Sequence, residues 1–117
     1  MKNKTNVNIE QVEFIINEAA EAAQKASIDY FTNKLNGHDC MACGFAWIHI
    51  RNIHGNSKLA KKLAEFGITK DYSGALCWWN PSRHFAQNID VKEAGAVAAA
   101  EVLRKYGFTA SACSRLD

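Results

Sequence analysis

The first residues that could do chemistry are two cysteines. Cys40 and Cys43 form a Cys-x-x-Cys pair directly before an alternating aromatic run at residues 44–51. Such a pair can supply two zinc ligands or a redox dithiol, but zinc usually takes two close pairs and a redox dithiol lies at a helix start. Cys77 and Cys113 are isolated from each other and from this pair. The sequence therefore predicts no metal and no cofactor, with Cys43, Cys77 and Cys113 as small buried residues; the alternative is a zinc site at the 40–43 pair.

A pair of adjacent tryptophans, Trp78 and Trp79, precedes the segment Asn-Pro-Ser-Arg at 80–83. Consecutive strand residues point to opposite faces of a sheet, so one indole is expected in the core and the other towards solvent, a ligand or another subunit. An exposed indole beside Ser82 and Arg83 is typical of a surface on which a base or sugar stacks, with the arginine on phosphate or a base edge. The alternative is that both indoles pack under flanking helices.

The segment His-Gly-Asn-Ser-Lys at 54–58 predicts an anion-binding helix start. Ser57 is the expected cap, and Asn56 before it would expose backbone N–H groups at the positive end of the helix. Lys58 follows the cap, and Arg51 ends the preceding strand. The Walker pattern GxxxxGK[ST] is absent. The alternative is an ordinary solvated helix start.

The charge pattern favours a small anionic ligand. The net charge is +2, and no acidic residue stands between Asp39 and Glu65. This excess is small for a protein that wraps duplex nucleic acid. Near the other end of the chain, Arg115 is a further candidate ligand-binding residue.

Helical periodicity and caps predict three helices. Apolar residues at helical spacing predict a long helix over residues 8–36, capped by Asn8. A short helix follows Ser57, and a third begins at Asp90 with Glu93 completing a capping box. The first and third helices are rich in alanine, which predicts close packing and a homo-oligomer, a dimer or a tetramer. Lys92 and Lys105 are expected on the solvent face of the third helix.

Alternation of side chains predicts three strands, at residues 44–51, 75–80 and 108–114. The first strand is apolar on both faces and is therefore expected in the middle of the sheet. The sequence thus predicts an α+β fold with a small three-stranded sheet, three helices and the order α-β-α-β-α-β. One compact domain is expected over 1–117, with the sheet-containing part at 43–117.

The location expected for the chain is the cytoplasm. The N-terminal segment has no apolar core of the kind found in secretory signals, and no apolar run is long enough to span a bilayer. The sequence also shows no acidic cluster with metal-ligand spacing and no obvious catalytic triad. An enzyme is the third hypothesis, and its candidate residues are His49, His84 and Cys43.

Residues 42–117 resemble a set of small bacteriophage-encoded proteins. The resemblance rests on "ACGFAWIHI", "NSKLAKKL", "WNPS", "QNIDVKEAGA" and the closing "SRLD". It implies an anti-CBASS sponge, an oligomeric immune-evasion protein of the infected bacterial host's cytoplasm that sequesters cyclic nucleotides without cleaving them. It does not indicate which nucleotide is bound. A small nucleic-acid-binding accessory protein is the alternative.

Overall fold

The fold is seen in a computed structural model, which describes residues 5, 7–39 and 42–117. A single 3-10 turn, Ile9–Gln11, leads into helix α1, Val12–Asn33. There follow strand β1, Gly44–Arg51, helix α2, Lys58–Ala64, and strands β2, Thr69–Lys70, and β3, Leu76–Trp79. Helix α3, Ile89–Lys105, and strand β4, Thr109–Leu116, complete the described chain.

The sheet has four strands within the described residues, in the order β2-β3-β1-β4, and all neighbours are antiparallel. The prediction of an α+β fold is confirmed, but the prediction of three strands and a strict α-β alternation is wrong. The missed strand, β2, has only two residues, which is too few to show an alternating pattern. It forms a strand because it pairs with β3, with Thr69 opposite Cys77. From β1 onward the order β-α-β-β-α-β with this strand arrangement is the split-βαβ, ferredoxin-like topology, here preceded by α1.

The helices pack on one face of the sheet. On β1 the inward side chains are Ala46, Ile48 and Ile50, each at most 1% exposed. They join the alanines of α1 and α3 in one buried cluster, with Leu76 and Trp78 of β3 at its edge. The alanine-rich faces of the two helices are therefore buried within one chain, which removes the reason for which self-association was predicted. The homo-oligomer stays a prediction without that support.

Two close approaches set the position of α3. Gly95 on α3 faces α1, where an added Cβ would lie 2.5 Å from Ser27 Oγ and 3.1 Å from the carbonyl oxygen of Ala23. The buried Ser27 hydroxyl donates to the carbonyl of Val91 at 2.7 Å, so the two helices are joined by a polar contact as well as by apolar packing. At the start of β1, an added Cβ on Gly44 would likewise meet the side chain of Ile89 on α3 and the carbonyl oxygen of Arg115 on β4.

The helix caps are partly as predicted. Asn8 accepts from the N–H of Glu10, and Ser57 accepts from the N–H of Ala60. The predicted capping box of α3 is wrong: Asn88 caps the helix by accepting from Val91, while Glu93 accepts a hydrogen bond from the Ser114 hydroxyl. An amide one residue before the helix competes successfully with the later aspartate because its side-chain oxygen reaches the third N–H.

None of the helices in the described part of the chain is long and apolar enough to cross a membrane.

Candidate functional site

The second face of the sheet carries a concentrated set of aromatic and reactive side chains, which we call the open face. It is defined by the outward residues of the three long strands. Since β1 pairs in register with β3 and β4, these residues form rows across the sheet. The open face consists of Phe45, Trp47, His49, Arg51, Cys77, Trp79, Thr109, Ser111, Cys113 and Arg115.

An aromatic cluster occupies the middle of the open face. Trp47 and Trp79 are directly opposite each other on β1 and β3, and their rings stack at a centroid separation of 5.3 Å and an interplanar angle of 13°. Phe45 adds a tilted contact with Trp79 at 5.6 Å. Trp79 keeps 52% of its surface exposed, whereas Trp78, on the opposite face, keeps 7%. The prediction that the two adjacent indoles would divide between core and surface is confirmed, with Trp79 as the exposed one.

Two cations lie over the aromatic cluster at one end. The guanidinium carbon of Arg115 is 5.8 Å from the centre of the Phe45 ring, and Nζ of Lys92 is 5.4 Å from the same centre. Lys92 also donates to the carbonyl of Gly44 at 2.9 Å, so its position is fixed by a second contact. The prediction that Lys92 lies on the solvent face of α3 is wrong: the start of α3 lies against the start of β1, and Lys92 is half-buried there. Lys105 is also engaged, in an ion pair with Glu18 at 2.6 Å.

Several polar side chains around His49 lie beside the aromatic cluster. Nε2 of His49 is 3.0 Å from Oδ2 of Asp71, and Nδ1 of the same ring is 3.8 Å from Sγ of Cys113. The hydroxyl and N–H of Ser73 both donate to Oδ1 of Asp71. These hydrogen bonds, with that of His49, hold the pKa of the Asp71 carboxyl below its ordinary value. The carboxylate is therefore ionised at neutral pH and can orient the imidazole.

The cysteines are not the small buried residues that the sequence predicted. Cys43 is exposed, and Cys77 and Cys113 are half-buried on the open face. Burial raises the pKa of the Cys77 thiol, and the charge of Asp71 adds to this effect. Cys40 lies outside the described residues, so a zinc site at the 40–43 pair stays untested there. Elsewhere in the described chain, no group of three or more His, Cys, Asp or Glu side chains is placed to hold a metal ion.

Trp78, Ser82 and Arg83, the other predicted site residues of this segment, lie away from the open face that carries Trp79. Trp78 and Arg83 line a groove of about 450 Å³ between α1 and the loops that follow α2 and β3. Ser82 is buried and accepts from the N–H of His84 at 3.2 Å, which makes it part of the turn. Arg83 is exposed and has a φ of +53°, a conformation that costs a non-glycine residue energy. The structure therefore separates Arg83 from the exposed indole with which it was grouped.

The start of α2 has fewer free backbone hydrogen-bond donors than the predicted anion site assumed. The N–H of Asn56 donates to Nδ1 of His54, and the N–H of Ser57 donates to the His54 carbonyl. Two of the donors expected to be free are thus used within the loop, and α2 has only seven residues. Arg51 lies on the open face at the far end from Arg115, opposite Thr109. At about 3.3 Å per strand residue the two arginines are roughly 20 Å apart.

Sequence reasoning missed most of the open face. Phe45, Trp47 and His49 were placed on one face of a strand, and His49 was named as a candidate for an enzyme. The face as a whole was not identified as a site, although its alternation was visible in the sequence. Lys92 and Asp71 had no such signal, because they reach the open face from a helix start and from a loop. Of the predicted site residues, Trp79 and Arg115 are the two that the structure brings together at the aromatic cluster.

Comparison with known proteins identifies no relative: no family model matches the chain, and no curated protein or solved structure is significantly similar to it.

Proposed function

We propose that the open face binds a small nucleotide, with bases stacked on the aromatic cluster and phosphate at Arg115 and Lys92. The observation that carries this proposal is the stacked pair Trp47 and Trp79 with two cations at one end. A half-exposed aromatic surface can stack with any base, because every base has a π-face, and each stack contributes about 1–3 kcal/mol. A phosphate held by a charged hydrogen bond adds roughly 1.5–3 kcal/mol.

The charge distribution favours a short ligand over a long strand. The cations nearest to the aromatic cluster, Arg115 and Lys92, lie at one end of it, and the net charge of the chain is only +2. Such an arrangement suits a ligand with a few bases and a few phosphates. In keeping with the resemblance to phage proteins, we propose a cyclic oligonucleotide second messenger of bacterial anti-phage defence. The protein would then act in the host cytoplasm by sequestering this ligand, as a dimer or larger homo-oligomer.

Thermal-shift screening with cyclic di- and trinucleotides tests this proposal, since a ligand that binds only the folded chain raises its melting temperature. The expected result is stabilisation by at least one nucleotide, reduced by Trp79→Ala and by Arg115→Gln. Matched controls are Phe14→Ala, an aromatic 63% exposed on α1, and Lys25→Gln, an exposed cation of the same helix. After denaturation the nucleotide should be recovered intact. Failure of every nucleotide to stabilise the protein, or equal losses in the controls, would contradict the proposal.

Binding of single-stranded nucleic acid is the second candidate, and the topology favours it. Four antiparallel strands with aromatic residues on the two central ones are the arrangement on which RNA-recognition modules stack two or three bases. Here the central strands β1 and β3 carry Phe45, Trp47 and Trp79. The salt dependence of binding affinity distinguishes the two candidate functions. A strand that contacts many phosphates should lose affinity steeply with added salt, and a cyclic dinucleotide much less.

A further inference from the structure

The contacts of His49 join a carboxylate, an imidazole and a thiol. The imidazole lies between Asp71, 3.0 Å from Nε2, and Cys113, 3.8 Å from Nδ1. Asp71 belongs to the loop before β3, His49 to β1 and Cys113 to β4, so the fold brings together residues far apart in the sequence. Nothing in their sequence spacing predicts this arrangement.

The protonation states follow from the hydrogen bonds. Asp71 is held as a carboxylate by Ser73 and can only accept from His49. His49 therefore donates from Nε2, and in the tautomer that carries its only ring hydrogen there, Nδ1 keeps a lone pair. That lone pair faces Sγ of Cys113. A base within reach of a thiol and itself oriented by a third group is the arrangement that activates nucleophiles, and the distances are often longer in the absence of substrate.

Cys113 is also available for reaction. It is half-buried on the open face, beside Trp47 on the neighbouring strand. The other thiol on this face, Cys77, lies on the opposite side of β1 and is offset by two residues along it, so two strand spacings and two residue rises place the Cα atoms roughly 12 Å apart. A disulfide needs Cα atoms within about 7 Å, so these two cysteines cannot form one without movement of the sheet.

We propose that Cys113 is a nucleophile that accepts an acyl group from an activated ester or thioester. In the reaction, Sγ of Cys113 attacks the carbonyl carbon while its proton passes to Nδ1 of His49. The bond from carbon to the leaving oxygen or sulfur then breaks, and His49 returns the proton to the leaving group. The products are the S-acylated protein and a free alcohol or thiol, with no oxidant or reductant involved. Asp71 is a positioning residue that acts through His49.

This proposal does not depend on nucleotide binding, because its probe, p-nitrophenyl acetate, contains no phosphate. The expected result is rapid release of one equivalent of p-nitrophenol per chain, with one acetyl group found on Cys113 by peptide mass spectrometry. Cys113→Ser should abolish the burst. His49→Gln should slow it on the order of 100-fold. Cys43→Ser, at an exposed cysteine outside the open face, is the matched control that should keep it.

Three readouts separate chemistry from folding. Circular dichroism should show that the His49 and Asp71 variants keep the native spectrum. Added imidazole should restore part of the rate to His49→Gly, which a purely structural role would not allow. Asp71→Asn should slow acylation, and Asp71→Glu should recover part of the loss because it restores a carboxylate. The proposal is overturned if acetyl groups distribute equally among the cysteines, or if Cys113 reacts as fast in folded His49→Gln as in the original chain.

Discussion

Trp78 and Trp79 give a direct test of the two-faced sheet, because the same substitution at adjacent positions should have very different costs. Trp78 is 7% exposed and belongs to the core, and replacing a buried tryptophan with alanine costs roughly 3–5 kcal/mol. Trp79 is 52% exposed, and its ring contacts Trp47 and Phe45. About half of the Trp79 surface is already exposed, so Trp79→Ala should cost clearly less than Trp78→Ala, even with the loss of aromatic contacts worth about 0.5–1.5 kcal/mol each.

Urea unfolding followed by far-ultraviolet circular dichroism measures this difference without depending on tryptophan fluorescence. For a small domain the slope is about 1–3 kcal/mol per molar urea, so Trp78→Ala should lower the midpoint by about 1 M or more. Trp79→Ala should lower it by a clearly smaller amount. The reasoning is refuted if the two variants lose equal stability, or if Trp79→Ala loses more. A larger loss at Trp79 would mean that the open face is covered in solution, for instance by a second copy of the chain.

Three further changes test the packing and the polar contacts. Gly95→Ala should destabilise the chain by about 1–3 kcal/mol in the same urea assay, since its Cβ would meet Ser27 Oγ at 2.5 Å. The pKa of Asp71 is lowered in the folded state, so its contribution to stability is present above the pKa of the unfolded carboxyl and is lost as the pH falls through the folded value. Asp71→Asn should therefore flatten the acid limb of a plot of unfolding free energy against pH, and an unchanged limb would contradict this. Arg83→Gly should leave the urea midpoint unchanged or raise it, because a φ of +53° suits glycine; a large loss would show that the arginine side chain stabilises the turn.

The sequence predicted the elements whose signals are local. Helix α1 was found from apolar residues at helical spacing, although the predicted range 8–36 is longer than Val12–Asn33 and Asn8 caps the 3-10 turn before α1. Strand β1 was found from alternation over residues 44–51. Helix α3 was placed within a residue of its start, although Asn88 rather than Asp90 caps it. These features depend on neighbours within a few residues, which a sequence shows directly.

The parts that sequence reasoning missed depend on the path of the chain. Strand β2 exists because Thr69 and Lys70 pair with β3, and two residues carry no periodic pattern of their own. Both faces of β1 are apolar, so alternation could not reveal that the helices would all pack on the side of Ala46 and Ile48 and leave Trp47 uncovered. His49, Asp71 and Cys113 meet only after the sheet is assembled. The candidate site is therefore a product of topology more than of any motif.

The most direct test of the open face as the ligand-binding surface is the nuclear magnetic resonance spectrum of the three indole N–H groups. Trp47 and Trp79 lie on the open face, and the buried Trp78 lies on the other side of the same sheet as an internal reference. Titration with a cyclic dinucleotide that stabilises the protein should shift the indole signals of Trp47 and Trp79 in a saturable manner, with little change at Trp78. A shift confined to Trp78 would place the ligand in the groove beside Arg83 and would contradict the proposed binding face.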